Sequence, residues 1–269
     1  MIAAVPLERR IADLARTIRK PPPPAPMTAV ELARRAGHDP DPWQRRVLDS
    51  GARQQLMNGA RQSGKSTTAA VLGLHAALYA PGSLVLVLSP GERQSKLLFR
   101  KMLATYRRLG HPVAAETENR LSLELANGSE IHALPGSEAT VRGFSGVALL
   151  LIDEASRVDD ALYMGVRPML AVSGGRLVAL STPWGKRGWW YEAWEHGGPS
   201  WERYEVPAQM CPRIPAEFLE EERRSMPPLW FASEYECRFV DAVDQVFPTD
   251  VVAAAITPDV APLFSQGGF

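Results

Sequence analysis

The chain has only two cysteines in 269 residues, Cys211 and Cys237. Neither has a C-x-x-C spacing or a nearby histidine, so a metal-binding role is not expected and a reducing compartment is the natural reading. Any apolar run approaching the roughly 18 residues that span a bilayer is lacking, as is the apolar core of a signal peptide behind the first residues. Both absences lead to the expectation of a soluble, intracellular protein without membrane association. Net charge is absent too, with 30 Lys+Arg against 30 Asp+Glu. That balance hides an asymmetry: residues 1–110 carry 18 basic and 7 acidic side chains, the remainder 12 and 23. A basic front half suits contact with phosphate or nucleic acid, and arginine-rich solvated helix faces would produce it equally well. The length and a 45% hydrophobic content suit one large α/β domain with at most a small appendage.

What is present is Gly59-Ala60-Arg61-Gln62-Ser63-Gly64-Lys65-Ser66, a full match to G-x-x-x-x-G-K-[ST]. A strand-like run from Gln55 to Met57 enters it and an alanine-rich helical run from Thr67 to Tyr79 leaves it. In that context the backbone from Gly59 to Thr67 would cradle a polyphosphate on its N–H groups and the helix N-terminus. Lys65 adds a point charge at the β- and γ-phosphates, and the Ser66 hydroxyl a ligand for Mg²⁺. The expected ligands are ATP and Mg²⁺. A glycine turn that happens to carry Lys-Ser is the alternative, and the flanks argue against it.

Val147 to Ile152 reads as a buried strand that delivers Asp153 and Glu154 at its C-terminal end. Asp153 would hold Mg²⁺ and Glu154 would orient and deprotonate the attacking water. Leu177 to Leu180 is a further strand ending in Ser181-Thr182-Pro183, either a sensor of hydrolysis or an ordinary strand-ending turn. Gln44, about twenty residues before Lys65, is either a reader of the adenine edge or a surface glutamine.

Other segments follow the same logic. A helical pattern within 1–20 is stopped by the proline run at 21–26, a stiff spacer. Thr28 and Glu31 have capping-box spacing, with Gly37 closing that helix. Ser83 to Ser89 predicts a buried strand and Glu92 to Leu109 a basic amphipathic helix. Asn127-Gly128 predicts a hairpin between Leu121–Leu125 and Glu130–Leu134. Trp184, Trp189, Trp190, Tyr191 and Trp194 are read as packing or as base-stacking surface. Trp201 to Val206 is strand-like, whereas Pro215 to Ser225 and Pro227 to Val240 are read as two helices. The expected fold is an α/β P-loop NTPase of RecA-like, ASCE type: a mostly parallel sheet sandwiched by helices, with a small C-terminal helical lid. Its divisions are an N-terminal helix and spacer (1–26), the ATPase core (27–208), the lid or linker (209–247) and a tail (248–269).

With the phosphate loop, Ile152-Asp153-Glu154-Ala155 and Ser181-Thr182-Pro183 in order, the stretch from about Trp43 to Phe247 resembles the ATPase domain of the large terminase subunit of tailed bacteriophages. So does Glu234-Tyr235-Glu236-Cys237-Arg238-Phe239-Val240 with Val246-Phe247. The resemblance implies a Mg²⁺-dependent ATPase that drives double-stranded DNA into a procapsid, in the host cytoplasm. It further implies a homo-oligomeric ring on a portal and a small terminase subunit as partner. Gln44 matches the family's adenine-reading position and Ser181 and Thr182 its coupling motif. Arg61 lies where terminases carry a basic residue in the loop. Arg142, in Val141-Arg142-Gly143-Phe144, is similar to the position proposed to reach a neighbour's site in trans; a surface arginine beside a glycine turn is its alternative.

The departure is at the C-terminus, where the family continues into a nuclease domain and this sequence stops at Phe269. Asp241, Asp244, Asp250 and Asp259 have no domain to arrange them around a metal pair, so nuclease activity is not expected from it. A superfamily 2 helicase would need a second RecA-like lobe, for which the length leaves no room. A nucleotide-dependent DNA-docking or assembly module with little activity in isolation remains the reading from another class.

Overall fold

The computed structural model describes residues 27–136 and 143–241, with Ala25, Val251 and 254–256 in addition. The predicted N-terminal helix, most of the proline spacer, Arg142, Val246-Phe247 and most of the tail lie outside the described residues. The first elements among the described residues are α1 (Ala29–Arg35) and α2 (Pro42–Asp49), then β1 (Gln54–Gly59), α3 (Lys65–Tyr79), β2 (Leu84–Ser89) and α4 (Glu92–Arg108). Next come β3 (Ala115–Glu118), β4 (Ser122–Leu125), β5 (Glu130–Pro135) and β6 (Val147–Asp153). The remainder holds α5 (Asp160–Val166), β7 (Arg176–Ser181), α6 (Gly188–Glu195), β8 (Trp201–Val206), α7 (Ala216–Ser225) and α8 (Pro228–Glu234).

The capping box expected ahead of α1 is present. The Thr28 hydroxyl accepts from the Glu31 N–H at 3.1 Å, and the Thr28 N–H donates to the Glu31 carboxylate at 2.8 Å. Gly37, at φ +82°, takes the left-handed turn after the helix.

Among the described residues the eight strands form one sheet in the order β3-β4-β5-β2-β6-β7-β1-β8. All pairs from β5 across to β8 are parallel, and the β3–β4–β5 meander at one edge is antiparallel. β3 was not expected from the sequence. Its four residues, Ala-Glu-Thr-Glu, are mostly exposed and have no apolar alternation to reveal them.

The central strands are apolar on both faces, so each feeds two cores. Met57, Val85, Val87, Leu149, Leu151, Val178 and Leu180 pack with α1 to α4 on one side. Leu56, Leu86, Leu88, Leu150, Ile152, Leu177 and Ala179 pack with α5 and α6 on the other. Each buried Val, Leu, Ile or Met side chain here contributes about 1.5–3 kcal/mol, and it is this two-sided burial that holds a parallel sheet.

Trp189 and Trp190 belong to the second core; Trp189 stacks on Tyr163 at 3.9 Å between centroids and donates its indole N–H to the Val158 carbonyl. Trp184 departs from the group: it is 43% exposed, with the Arg157 guanidinium 3.7 Å above its ring.

The helix read over Pro227 to Val240 ends early, at Glu234. Cys237 adopts φ +61°, and the Glu236 and Arg238 N–H groups both turn back to the Ala232 carbonyl. The turn inserts Cys237 beneath the phosphate loop, where its carbonyl accepts from the buried Asn58 amide at 2.8 Å.

Candidate active site

Strand register brings the predicted residues level. Asp153 lies beside Leu180, Leu180 beside Met57, Asn58 beside Ser181, and Gly59 beside Val206. The C-terminal ends of β6, β7, β1 and β8 therefore form one rim, the position where open α/β sheets bind ligands. β7 stands between the phosphate-loop strand and the acidic strand.

Above this rim lies a cleft of about 730 Å³. Arg61, Gln62, Ser63, Gly64, Lys65, Ser66 and Thr67 line one side, and Asp153, Glu154 and Thr182 the other. The loop bends through two positive-φ residues: Gly64 at φ +101°, which the lack of a side chain permits, and Gln62 at φ +57°, left-handed despite its Cβ. A Cβ on Gly59 would press on the Lys65 stem at 3.0 Å. Lys65 folds over the loop, its Nζ donating to the carbonyls of Gly59 at 2.5 Å and Ala60 at 2.8 Å. Burial lowers its pKa, and the nearby Glu154 carboxylate opposes that shift.

Asp153 is buried, and burial together with the neighbouring Glu154 pushes its pKa up to about 6. A carboxylate so placed is short of positive charge, which a divalent cation would supply. A hydroxyl on Ser66 across the same cleft completes a hard-oxygen donor pair suited to Mg²⁺. Glu154 follows in a left-handed conformation, φ +52° and ψ +43°, and its N–H is tethered to the Asp153 carboxylate at 3.1 Å. Such a backbone costs of order 1 kcal/mol and is found where geometry serves function.

The remaining predicted residues are placed as follows. Thr182 lines the cleft, whereas Ser181 is buried behind it and shares a 2.7 Å hydrogen bond with the Ser156 hydroxyl, two residues past Glu154. Ser156 also donates its N–H to the Ser181 hydroxyl. Gln44 is buried rather than on the surface, and its amide is bonded within the protein. Arg61 forms a two-pronged ion pair with Glu234 at the end of α8, at 2.5 and 3.1 Å.

Sequence reasoning placed Glu234 only in the closing segment and missed its pairing with Arg61, and it missed Arg213, which grips Asp41 at 2.9 and 2.7 Å and the Ser63 carbonyl at 3.1 Å. Neither carries a local signal, because their partners lie 173 and 172 residues away in the chain. The segment from Val206 to Cys237 thus grips the loop from several sides. The Val206 and Glu234 carbonyls accept the N–H groups of Ala60 and Arg61. Burial raises the Cys237 thiol to about 12, so it stays neutral there.

Comparison with known proteins identifies the family and the fold. The family described as terminase large subunit, T4likevirus-type, N-terminal, matches residues 56–253. The terminase large subunit of Escherichia phage T5 is 27% identical over 197 residues, covering 71% of this chain and 44% of that protein. That of Thermus virus P23-45 is 25% identical over 247 residues, covering 78% and 51%. The chain spans about half the length of the curated relatives it matches. Among solved structures, the large terminase ATPase domain of Thermus phage P74-26 superimposes with a TM-score of 0.71 at 22% identity, covering 80% of this chain and all of that one. The large terminase of a thermophilic bacteriophage, in complex with ADP, gives 0.63 at 12% identity, covering 74% and 53%.

Proposed function

Through residues 56–253 the chain belongs to the family of terminase large-subunit N-terminal regions, and from that premise we propose that it is the ATP-hydrolysing part of a motor that moves double-stranded viral DNA into a procapsid. The observation that carries the proposal is the shared cleft in which Lys65 and Ser66 face Asp153 and Glu154. Loop N–H groups and Lys65 would hold the β- and γ-phosphates and stabilise the charge that develops on the transferring phosphoryl group. Ser66 and Asp153 would hold Mg²⁺, which when bound neutralises phosphate oxygens. Glu154, raised at the end of β6 by its left-handed backbone, would orient the attacking water and take its proton.

The Ser181–Ser156 hydroxyl pair joins the tip of β7 to the turn behind Glu154, a short path by which loss of the γ-phosphate would reach Thr182, Pro183 and α8. Ser233 on α8 already bonds the Pro183 carbonyl at 3.2 Å. The partners proposed are double-stranded DNA, further copies of the chain in a ring on a portal, and a small terminase subunit, with the host cytoplasm as the setting. In that ring Arg142 would complete a neighbour's site in trans.

The test is ATP turnover and ATP binding, with and without double-stranded DNA, in the native protein and in Glu154→Gln. The variant is expected to bind ATP as the native protein does and to lose nearly all turnover; substantial residual hydrolysis would remove Glu154 from its role. In the same assay, a rate that rises more steeply than protein concentration is the expected signature of Arg142 acting across subunits, and strict proportionality argues against it.

A further inference from the structure

We propose that Arg157 binds the terminal phosphate of the nucleotide from within the same chain, so that it tells a triphosphate from a diphosphate, and that Trp184 is the platform that positions it. The proposal rests on the nucleotide reading above.

The first observation is the place of Arg157. It ends the short turn Ala155–Arg157, and its N–H donates to the Glu154 carbonyl at 2.9 Å, so the turn that starts at the left-handed Glu154 closes on it. Its side chain lines the cleft that Lys65, Ser66, Asp153 and Glu154 share.

The second observation is that its donors are uncommitted. The guanidinium groups lining the cleft belong to Arg61, Arg157 and Arg213. Arg61 is held by Glu234 and Arg213 by Asp41, each through two nitrogens. Arg157 has no hydrogen-bond or ion-pair partner among the described residues, and what occupies it is the Trp184 ring against its face, with the centroid at 3.7 Å. Stacking through the face spends none of the N–H donors at the edge, and that planar fork matches two phosphate oxygens. A carboxylate partner would have offset the positive charge, whereas an indole leaves it intact and shields one side from water. The result is a charged fork beside a polyphosphate site with its edge still open.

The third observation is what lies behind the stack. Trp184 follows Ser181-Thr182-Pro183, so the Arg157–Trp184 contact is a second rung between the turn behind Glu154 and the tip of β7, beside the Ser156–Ser181 hydroxyl pair. Arg157 and Trp184 also line a groove of about 570 Å³ with Leu229, Trp230 and Ser233 of α8. Arg157 thus belongs to the phosphate cleft and to the groove at once. A terminal phosphate on its edge would fix the guanidinium and, through the stack, the Trp184 ring that faces α8. A diphosphate would leave both free.

The experiment compares dissociation constants of Mg-ADP and Mg-β,γ-imido-ATP, a triphosphate analogue that is not hydrolysed, for the full chain by titration calorimetry. Arg157→Ala should weaken the analogue about tenfold and leave ADP within about twofold. Arg157→Lys keeps the charge without the fork and should recover part of the loss. Retained ADP affinity shows that each variant is folded. Trp184 has its own readout. Native tryptophan fluorescence should change with the analogue and not with ADP, and Trp184→Phe should remove most of that difference while holding analogue affinity within about twofold, because a phenyl ring still carries the stack. Equal weakening of both nucleotides in Arg157→Ala, weakening of neither, or a fluorescence difference that persists undiminished in Trp184→Phe would each overturn the proposal. Unchanged analogue affinity with weakened binding of a double-stranded oligonucleotide would overturn it too, assigning the fork to a nucleic-acid phosphate. Native protein that binds neither nucleotide would instead bring down the nucleotide reading, and this one with it.

Discussion

Asn58 stands one residue before the phosphate loop and is fully buried, its amide nitrogen bonded to the Cys237 carbonyl 179 residues later. It is the point at which the closing segment of the domain is tied to the loop. Removing the donor leaves a buried carbonyl without its partner, which costs about 1–3 kcal/mol. Asn58→Ala is therefore expected to lower stability by that amount in denaturant unfolding, with the C-terminal helices loosening first in hydrogen exchange. Protection unchanged over 228–238 would show that the bond does not anchor the segment. At this scale legibility followed contiguity. Gly59 to Ser66 and Asp153-Glu154 were readable because their chemistry is written in adjacent letters. Gln44 was singled out, but its bonding depends on Thr68 and Gly64, and Arg213 and Glu234 had nothing beside them to mark their role.

Secondary-structure elements were legible wherever burial imposed a period. β2, β6 and β7 are continuous apolar runs because both faces are covered, and α4 shows the 3.6-residue pattern of a helix with one buried side. The exposed strand β3 had no such signal, and α8 was read too long because Tyr235 and Phe239 continue an aromatic pattern after the backbone has turned at Cys237. Close approach between elements was equally invisible. Gly175, just before β7, has room for no side chain: a Cβ there would lie 2.0 Å from the Val147 carbonyl at the start of β6. Since the atom it would strike is backbone, relief requires β6 and β7 to part. Gly175→Ala should cost about 1–3 kcal/mol and, because Asp153 and Ser181 end these two strands, should lower turnover as well as the melting temperature. A variant as stable and as active as the native protein would disprove the packing argument.

At the scale of the fold, two cores flank one sheet among the described residues, and the segment from Val206 to Cys237 returns to the phosphate loop. Ala60 packs with Ala208, Leu219 and Cys237, so a ligand that orders the loop bears on the C-terminal helices directly. Mg-ATP at a hundred times its dissociation constant adds about 2.7 kcal/mol of stability, or roughly 5 to 10 °C in melting temperature for a domain of this size. Lys65→Ala should abolish most of that increment, and an equal shift in the variant would separate ligand binding from the loop. The sequence by itself determined the fold class and the phosphate-binding and acidic motifs, because period, burial and a contiguous loop are local properties of a chain. Only the tertiary structure decided that Asp153 and Lys65 share one cleft, that Gln44 is buried against Thr68 and Gly64, and that Arg61 and Arg213 meet Glu234 and Asp41. Those pairings are set by strand order and by the return of the chain across the sheet, and neither leaves a mark in the residues that happen to be neighbours in sequence.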